Sequence, residues 1–134
     1  MSQLERQAVD EVPDRIAGWL GVPVQVERGI PGAGSEFDFV ARTPDVAFVF
    51  EVKGRDDVAT LERAARRLQA CTQFDASMVP VLVVPFMGRV ARQWAEDRGL
   101  AWVDLSGNAD LPAPDVSRRG TLLRTISLRE GIPL

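Results

Sequence analysis

Phe37-Asp38-Phe39-Val40-Ala41 and Phe48-Val49-Phe50-Glu51-Val52-Lys53-Gly54 are the stretch whose reading decides the fold. The two β-rich runs flank Arg42-Thr43-Pro44-Asp45, a Pro- and Asp-containing segment of the kind that joins neighbouring antiparallel strands. They are predicted to pair as a hairpin. Side chains alternate along a strand, so Ala47, Val49, Glu51 and Lys53 share one face of the second run, and Phe48, Phe50 and Val52 share the other. On the first run Asp38 stands between Phe37 and Phe39, which point the opposite way. Two carboxylates and one ammonium are therefore expected at one end of the hairpin.

Charged groups in such an apolar setting cost free energy unless they are paired, hydrated or coordinated. One reading is a Glu/Lys pair at a fraying strand end, with Asp38 as a cross-strand partner. Composition points further: Lys53 is the only lysine in the chain, and every other basic residue is arginine. A lone lysine two residues after a strand glutamate suggests a need for a compact ammonium rather than a planar guanidinium.

Working outward, 134 residues make one domain large enough to bury a core, and 46% apolar with 26% charged residues is a globular composition. No apolar run is long enough to cross a bilayer, and Met1-Ser2-Gln3-Leu4-Glu5-Arg6 lacks the layout of a signal peptide, so a cytoplasmic location and no membrane partner are expected. The single Cys71 cannot form an internal disulfide and is expected to be a small buried helix residue. The chain has no histidine, which excludes Ser-His-Asp and Cys-His catalysis, imidazole bases and nearly every zinc site. The one lysine is not in a phosphate-binding glycine loop, which excludes a P-loop nucleotide hydrolase. Carboxylate, lysine and metal chemistry remain. The net charge of −3 carries no domain-wide basic footprint, although the segment from Lys53 to Arg98 is slightly basic.

The periodicity predicts an amphipathic helix from about Ser2 to Leu20, bent or restarted at Pro13, with Glu5 and Glu11 on its polar side. An edge strand follows at Val22 to Glu27, then a glycine-rich loop at Gly29 to Gly34 and the central hairpin. Asp56 or Asp57 caps a helix running to about Asp75, which buries Val58, Leu61, Ala65 and Leu68. Its outer side holds Arg63, Arg66 and Arg67, read as a solvated face that also suits phosphates, and Gln69 and Gln73. Val79 to Val84 reads as a strand buried on both faces, reached by a right-handed crossover. A helix from Met87 to Arg98 with Val90, Ala91, Trp94 and Ala95 inward, a short strand to Asp104 and a polar loop at Leu105 to Asp110 complete a domain spanning 1–111. Residues 112–134 are expected to be a loosely attached C-terminal arm containing a short strand at Thr121 to Ile126. The fold class is α/β, a mixed central sheet flanked by helices in αβββαβαβ order.

Asp38 followed, after an intervening turn, by Glu51-Val52-Lys53 at the end of an apolar strand resembles the PD-(D/E)XK, or restriction-endonuclease-like, nuclease superfamily. Phe37 stands where the family's nominal proline would be. The resemblance implies metal-dependent hydrolysis of DNA phosphodiester bonds, with Asp38, Glu51 and Lys53 as catalytic residues. It also implies Mg²⁺ or Mn²⁺ held by Asp38, Glu51 and the Val52 carbonyl. In branches of the family a glutamate of the first helix or a glutamine of the second joins the site; here the positions are Glu5 or Glu11, and Gln69 or Gln73. DNA is the implied partner, and a homodimer would let two sites face two strands. The segment from Val79 to Leu111 is also similar to restriction-endonuclease-like domains joined to bacterial helix-turn-helix regulators and antitoxins, which leaves a non-cleaving DNA-binding module as the alternative.

Overall fold

A computed structural model describes residues 2–28, 38–72, 77–114 and 123–129, and for 112–114 and 123–129 it gives the course of the backbone. The glycine-rich loop, Glu36, Phe37, Gln73 and the arginines at 118 and 119 lie outside the described residues, as do the side chains of Cys71, Arg124 and Arg129.

The first helix, α1 (Gln3–Leu20), begins where the Ser2 hydroxyl accepts the Glu5 N–H at 3.1 Å. It ends at Gly21, whose φ of 65° suits a residue without Cβ and whose N–H donates to the Ala17 carbonyl at 2.9 Å. The restart expected at Pro13 does not occur; the helix runs unbroken through that buried proline. After it come β1 (Gln25–Arg28), β2 (Phe39–Arg42), β3 (Ala47–Val52), α2 (Val58–Thr72), β4 (Met78–Val84), α3 (Arg89–Asp97) and β5 (Ala101–Asp104). This is the element order read from the sequence. Two further strands, β6 (Asn108–Pro114) and β7 (Leu123–Arg129), extend it.

All seven strands form one sheet in the order β1-β2-β3-β4-β5-β6-β7. The pairs β1–β2 and β2–β3 are antiparallel, β3–β4 and β4–β5 parallel, and β5–β6 and β6–β7 antiparallel. The hairpin register sets Phe39 opposite Phe50 and Arg42 opposite Ala47. Its turn is closed by Thr43, whose N–H donates to the Val46 carbonyl at 2.8 Å and whose hydroxyl accepts the Val46 N–H at 3.0 Å. β1 is an exposed edge, as Pro23 before it foretells.

The sheet has two packed faces. On one, Phe48, Phe50 and Val52 join Val79, Val81 and Val83 beneath Ala8, Val12 and Ile16 of α1. On the other, Ala47, Val49, Leu82 and Val84 lie beneath Leu61 and Leu68 of α2 and Ala91 and Trp94 of α3. The continuous apolar run of β4 is thus buried on both sides, the condition that favours such runs in parallel sheets. Phe39 stacks on Phe50 with centroids 4.5 Å apart, a contact of about 0.5–1.5 kcal/mol beyond the area it buries.

Three expectations are corrected. Val90 is 74% exposed, because α3 starts at Arg89 and the fully buried Met87 fills the inward position just before it. The polar segment from Leu105 to Asp110 is a loop only as far as Gly107, whose φ of 97° reverses the chain into β6. β6 then runs through the boundary expected at Leu111, and β7 pairs with it from Asn108↔Arg129 to Pro114↔Leu123, so these residues widen the sheet instead of forming a loose arm. Pro112 and Pro114 disguise the strand. Its pairing with β5 is confined to Asp110 and Ala109, so both prolines fall where only one neighbouring strand needs donors.

Candidate active site

The hairpin brings Asp38 to the strand position beside Glu51, on the face covered by α2. The Asp38 N–H donates to the Phe50 carbonyl at 2.8 Å, and its carboxylate Oδ2 accepts the Val52 N–H at 2.7 Å. One oxygen of Asp38 thus closes the ladder where β2 begins. Lys53 follows from the next parallel pairing: its N–H donates to the Val83 carbonyl at 2.8 Å, fixing the backbone at the C-terminal end of β3. Its ammonium Nζ lies 3.2 Å from Glu51 Oε1.

Glu51 is 6% exposed. Its Oε1 accepts from both Lys53 and the Arg67 guanidinium, while Oε2 is buried with no hydrogen-bond partner among the described residues. Burial pushes the carboxyl pKa up; the Lys53 and Arg67 charges pull it back, and the neighbouring Asp38 charge pushes it further up. A buried carboxylate oxygen lacking a donor is an expensive arrangement that a cation would relieve. Hard oxygen donors from Asp38 and Glu51 fit Mg²⁺ or Mn²⁺, and no third carboxylate forms a cluster with them among the described residues.

Arg67 is the residue the sequence reading missed as a member of this site. It sits on α2, three positions after Ala64 and one before Leu68, and the buried stripe Leu61, Ala64, Ala65 and Leu68 sets its direction. Gln69 is exposed. Glu11 pairs with Arg15 and accepts from Gln7, and α1 covers the opposite face of the sheet from Glu51. Beside the carboxylates lies an open pocket of about 430 Å³ lined by Lys53, Arg63, Arg66 and Arg67.

The rim beyond it is tied by three further aspartates. Asp57 caps α2, accepting the Thr60 N–H at 3.1 Å and the Thr60 hydroxyl, which holds its pKa below the usual value. Asp56 Oδ2 accepts the Gly88 N–H at 2.8 Å, joining the β3–α2 loop to the start of α3. Asp104, fully buried, accepts from the backbone N–H groups of Met87, Ser106 and Asn108 and from the Asn108 side chain, at 2.8–3.0 Å. The loops at the carboxyl ends of β4 and β5 are therefore anchored to one carboxylate.

No protein-family model matches the chain, and no curated protein matches it. Among solved structures it is similar to a repair endonuclease from Pyrococcus abyssi, with 20% identity and a TM-score of 0.58, over 78% of this chain and 47% of that one. It is also similar to EndoMS in a complex with double-stranded DNA, with 17% identity and a TM-score of 0.50, over 78% of this chain and 45% of that one. The chain spans a little under half the length of the structures it matches. At these identities the likeness speaks for architecture, which agrees with the strand order, the crossover and the hairpin described above: the chain has the restriction-endonuclease-like α/β fold.

Proposed function

We propose that the chain is a metal-dependent nuclease that hydrolyses DNA phosphodiester bonds at Asp38, Glu51 and Lys53. The observation that carries this reading is Glu51 Oε2, buried and without a donor among the described residues, on the same sheet face as Asp38 and beside the only lysine of the sequence. Asp38, Glu51 and the Val52 carbonyl would hold Mg²⁺ or Mn²⁺. Such an ion supplies Lewis-acid polarisation of a phosphoryl oxygen. Asp38 has one oxygen committed to the Val52 N–H, which fixes the carboxylate plane and leaves the other oxygen for coordination. Lys53, 29% exposed, presents its ammonium at the mouth of the site, where it orients water and stabilises negative charge on the phosphoryl oxygens. A water oxygen bonds to phosphorus as the ester P–O bond to the departing sugar oxygen opens. The DNA substrate is supported by the architecture shared with two endonucleases, one of them seen with double-stranded DNA.

The test is cleavage of supercoiled plasmid and branched DNA with Mg²⁺ or Mn²⁺, alongside calorimetric titration of Mn²⁺. Cleavage is lost in Glu51→Gln and in Lys53→Ala, whereas the heat of Mn²⁺ binding is lost only in Glu51→Gln. A second reading, a DNA-binding module that does not cut, is favoured by the two cationic side chains already satisfying Glu51 Oε1. Wild-type protein that binds DNA and leaves every form intact with either metal overturns the hydrolytic reading in its favour.

A further inference from the structure

Among the described residues, the pocket beside Glu51 is lined by Lys53, Arg63, Arg66 and Arg67, each of them a cation. Like charges converge on a cavity against their mutual repulsion, so an anion placed there is stabilised by all of them at once. Their existing partners do not use this capacity up. Arg63 has no carboxylate partner among the described residues, and Arg66 is 76% exposed with a single contact to Glu62 at 3.3 Å. Lys53 and Arg67 both point their charge at the same Glu51 oxygen, which leaves one net positive charge between the three groups. Guanidinium groups spaced along one helix match the oxygens of a phosphodiester, and the opening of about 430 Å³ admits a nucleotide.

We propose that this pocket is an anion subsite for a backbone phosphate of the nucleic acid, flanking the bond that is cut, with α2 as the track along which that strand runs. The assignment rests on the nuclease reading for the identity of the strand, and it adds where the strand lies. The phosphate lies on the α2 side of Glu51. Arg63 and Arg66 make contacts that are independent of base sequence, and Arg67 is shared between Glu51 and the phosphate.

The experiment measures binding of a fluorescently labelled 20-base-pair duplex by anisotropy, in EDTA so that no strand is cut, between about 50 and 200 mM salt. Arg63→Gln, Arg66→Gln and the double variant are compared with wild type and with Arg6→Gln, which removes the same charge from α1 on the far side of the sheet. The double variant is expected to bind about tenfold more weakly at the lowest salt, with the slope of log affinity against log salt shallower by about one to two. Arg6→Gln changes neither. A double variant with the slope and affinity of wild type, or a loss of equal size in Arg6→Gln, overturns the subsite. Cleavage separates this proposal from the one it rests on. Slope loss in the double variant alongside a wild type that binds but never cuts keeps the subsite and removes the hydrolase, whereas a double variant that binds and cuts like wild type does the reverse.

Discussion

Replacing Arg67 with glutamine should make divalent cations bind more tightly, although the residue belongs to the site. Arg67 and Lys53 share Glu51 Oε1, so an Mn²⁺ entering the proposed site would meet two positive charges on that carboxylate. A unit charge and a divalent ion about 5 Å apart repel by roughly 7 kcal/mol at an effective dielectric of 20, and by under 2 kcal/mol in bulk water. The Arg67 side chain is 45% exposed and can swing outward as the ion arrives, which places the relief near the lower figure, about 1–2 kcal/mol. That is a gain of roughly five- to thirtyfold in affinity. The size of the gain depends on pH. Removing Arg67 takes away a charge that lowers the Glu51 pKa, so the proton competes better and the gain shrinks as pH falls. Calorimetric titration of Mn²⁺ into wild type, Arg67→Gln and Arg66→Gln at about pH 8 and again near pH 6 checks both parts. Equal or weaker binding by Arg67→Gln at the higher pH, or the same gain in Arg66→Gln, refutes the reasoning.

Glu51→Gln should raise Tm near pH 7.5 by about 2–4 °C, since it removes a buried charge whose pKa folding raises. A raised native pKa means stability is fully present below the unfolded value and lost as pH rises through the folded one, so melting scans should show the advantage of Gln disappearing toward pH 4. Asp104→Ala strands the N–H groups of Met87, Ser106 and Asn108 and the Asn108 amide, and should cost about 3–5 kcal/mol in urea unfolding, with Asp104→Asn costing less. Gly88→Ala would set a Cβ 2.9 Å from Asp56 Oδ2, displacing the acceptor of its own N–H, and should lower stability by about 1 kcal/mol in the same assay.

The core hairpin was legible because period-two alternation assigns faces without any tertiary knowledge: Glu51 follows Ala47 and Val49 onto the α2 side, and Phe48 and Phe50 go to the α1 side. β4 was legible for the complementary reason, an apolar run with no polar face to show. The Arg67 contact with Glu51 was not, since it depends on how far α2 is rotated when it lands on the sheet, and three neighbouring arginines look alike in sequence. The turn at Leu105 to Gly107 was visible, but the strand behind it was not, because its partner β7 lies beyond it in the chain and two prolines interrupt its pattern. Asp104 was placed at a strand end, where its role comes from donors on two separate loops.

The buried stripe of α2 has a mechanical consequence. Each residue of a helix turns the next by about 100°. Inserting one amino acid between Leu61 and Arg63 would therefore turn the guanidinium row, and Ala64, Ala65 and Leu68 with it, by about 100° relative to Leu61, so the two halves of the stripe could no longer seat on the sheet together. The aliphatic contacts thus act as a protractor for the charges: oily side chains that never meet a solute dictate which compass bearing the arginines face.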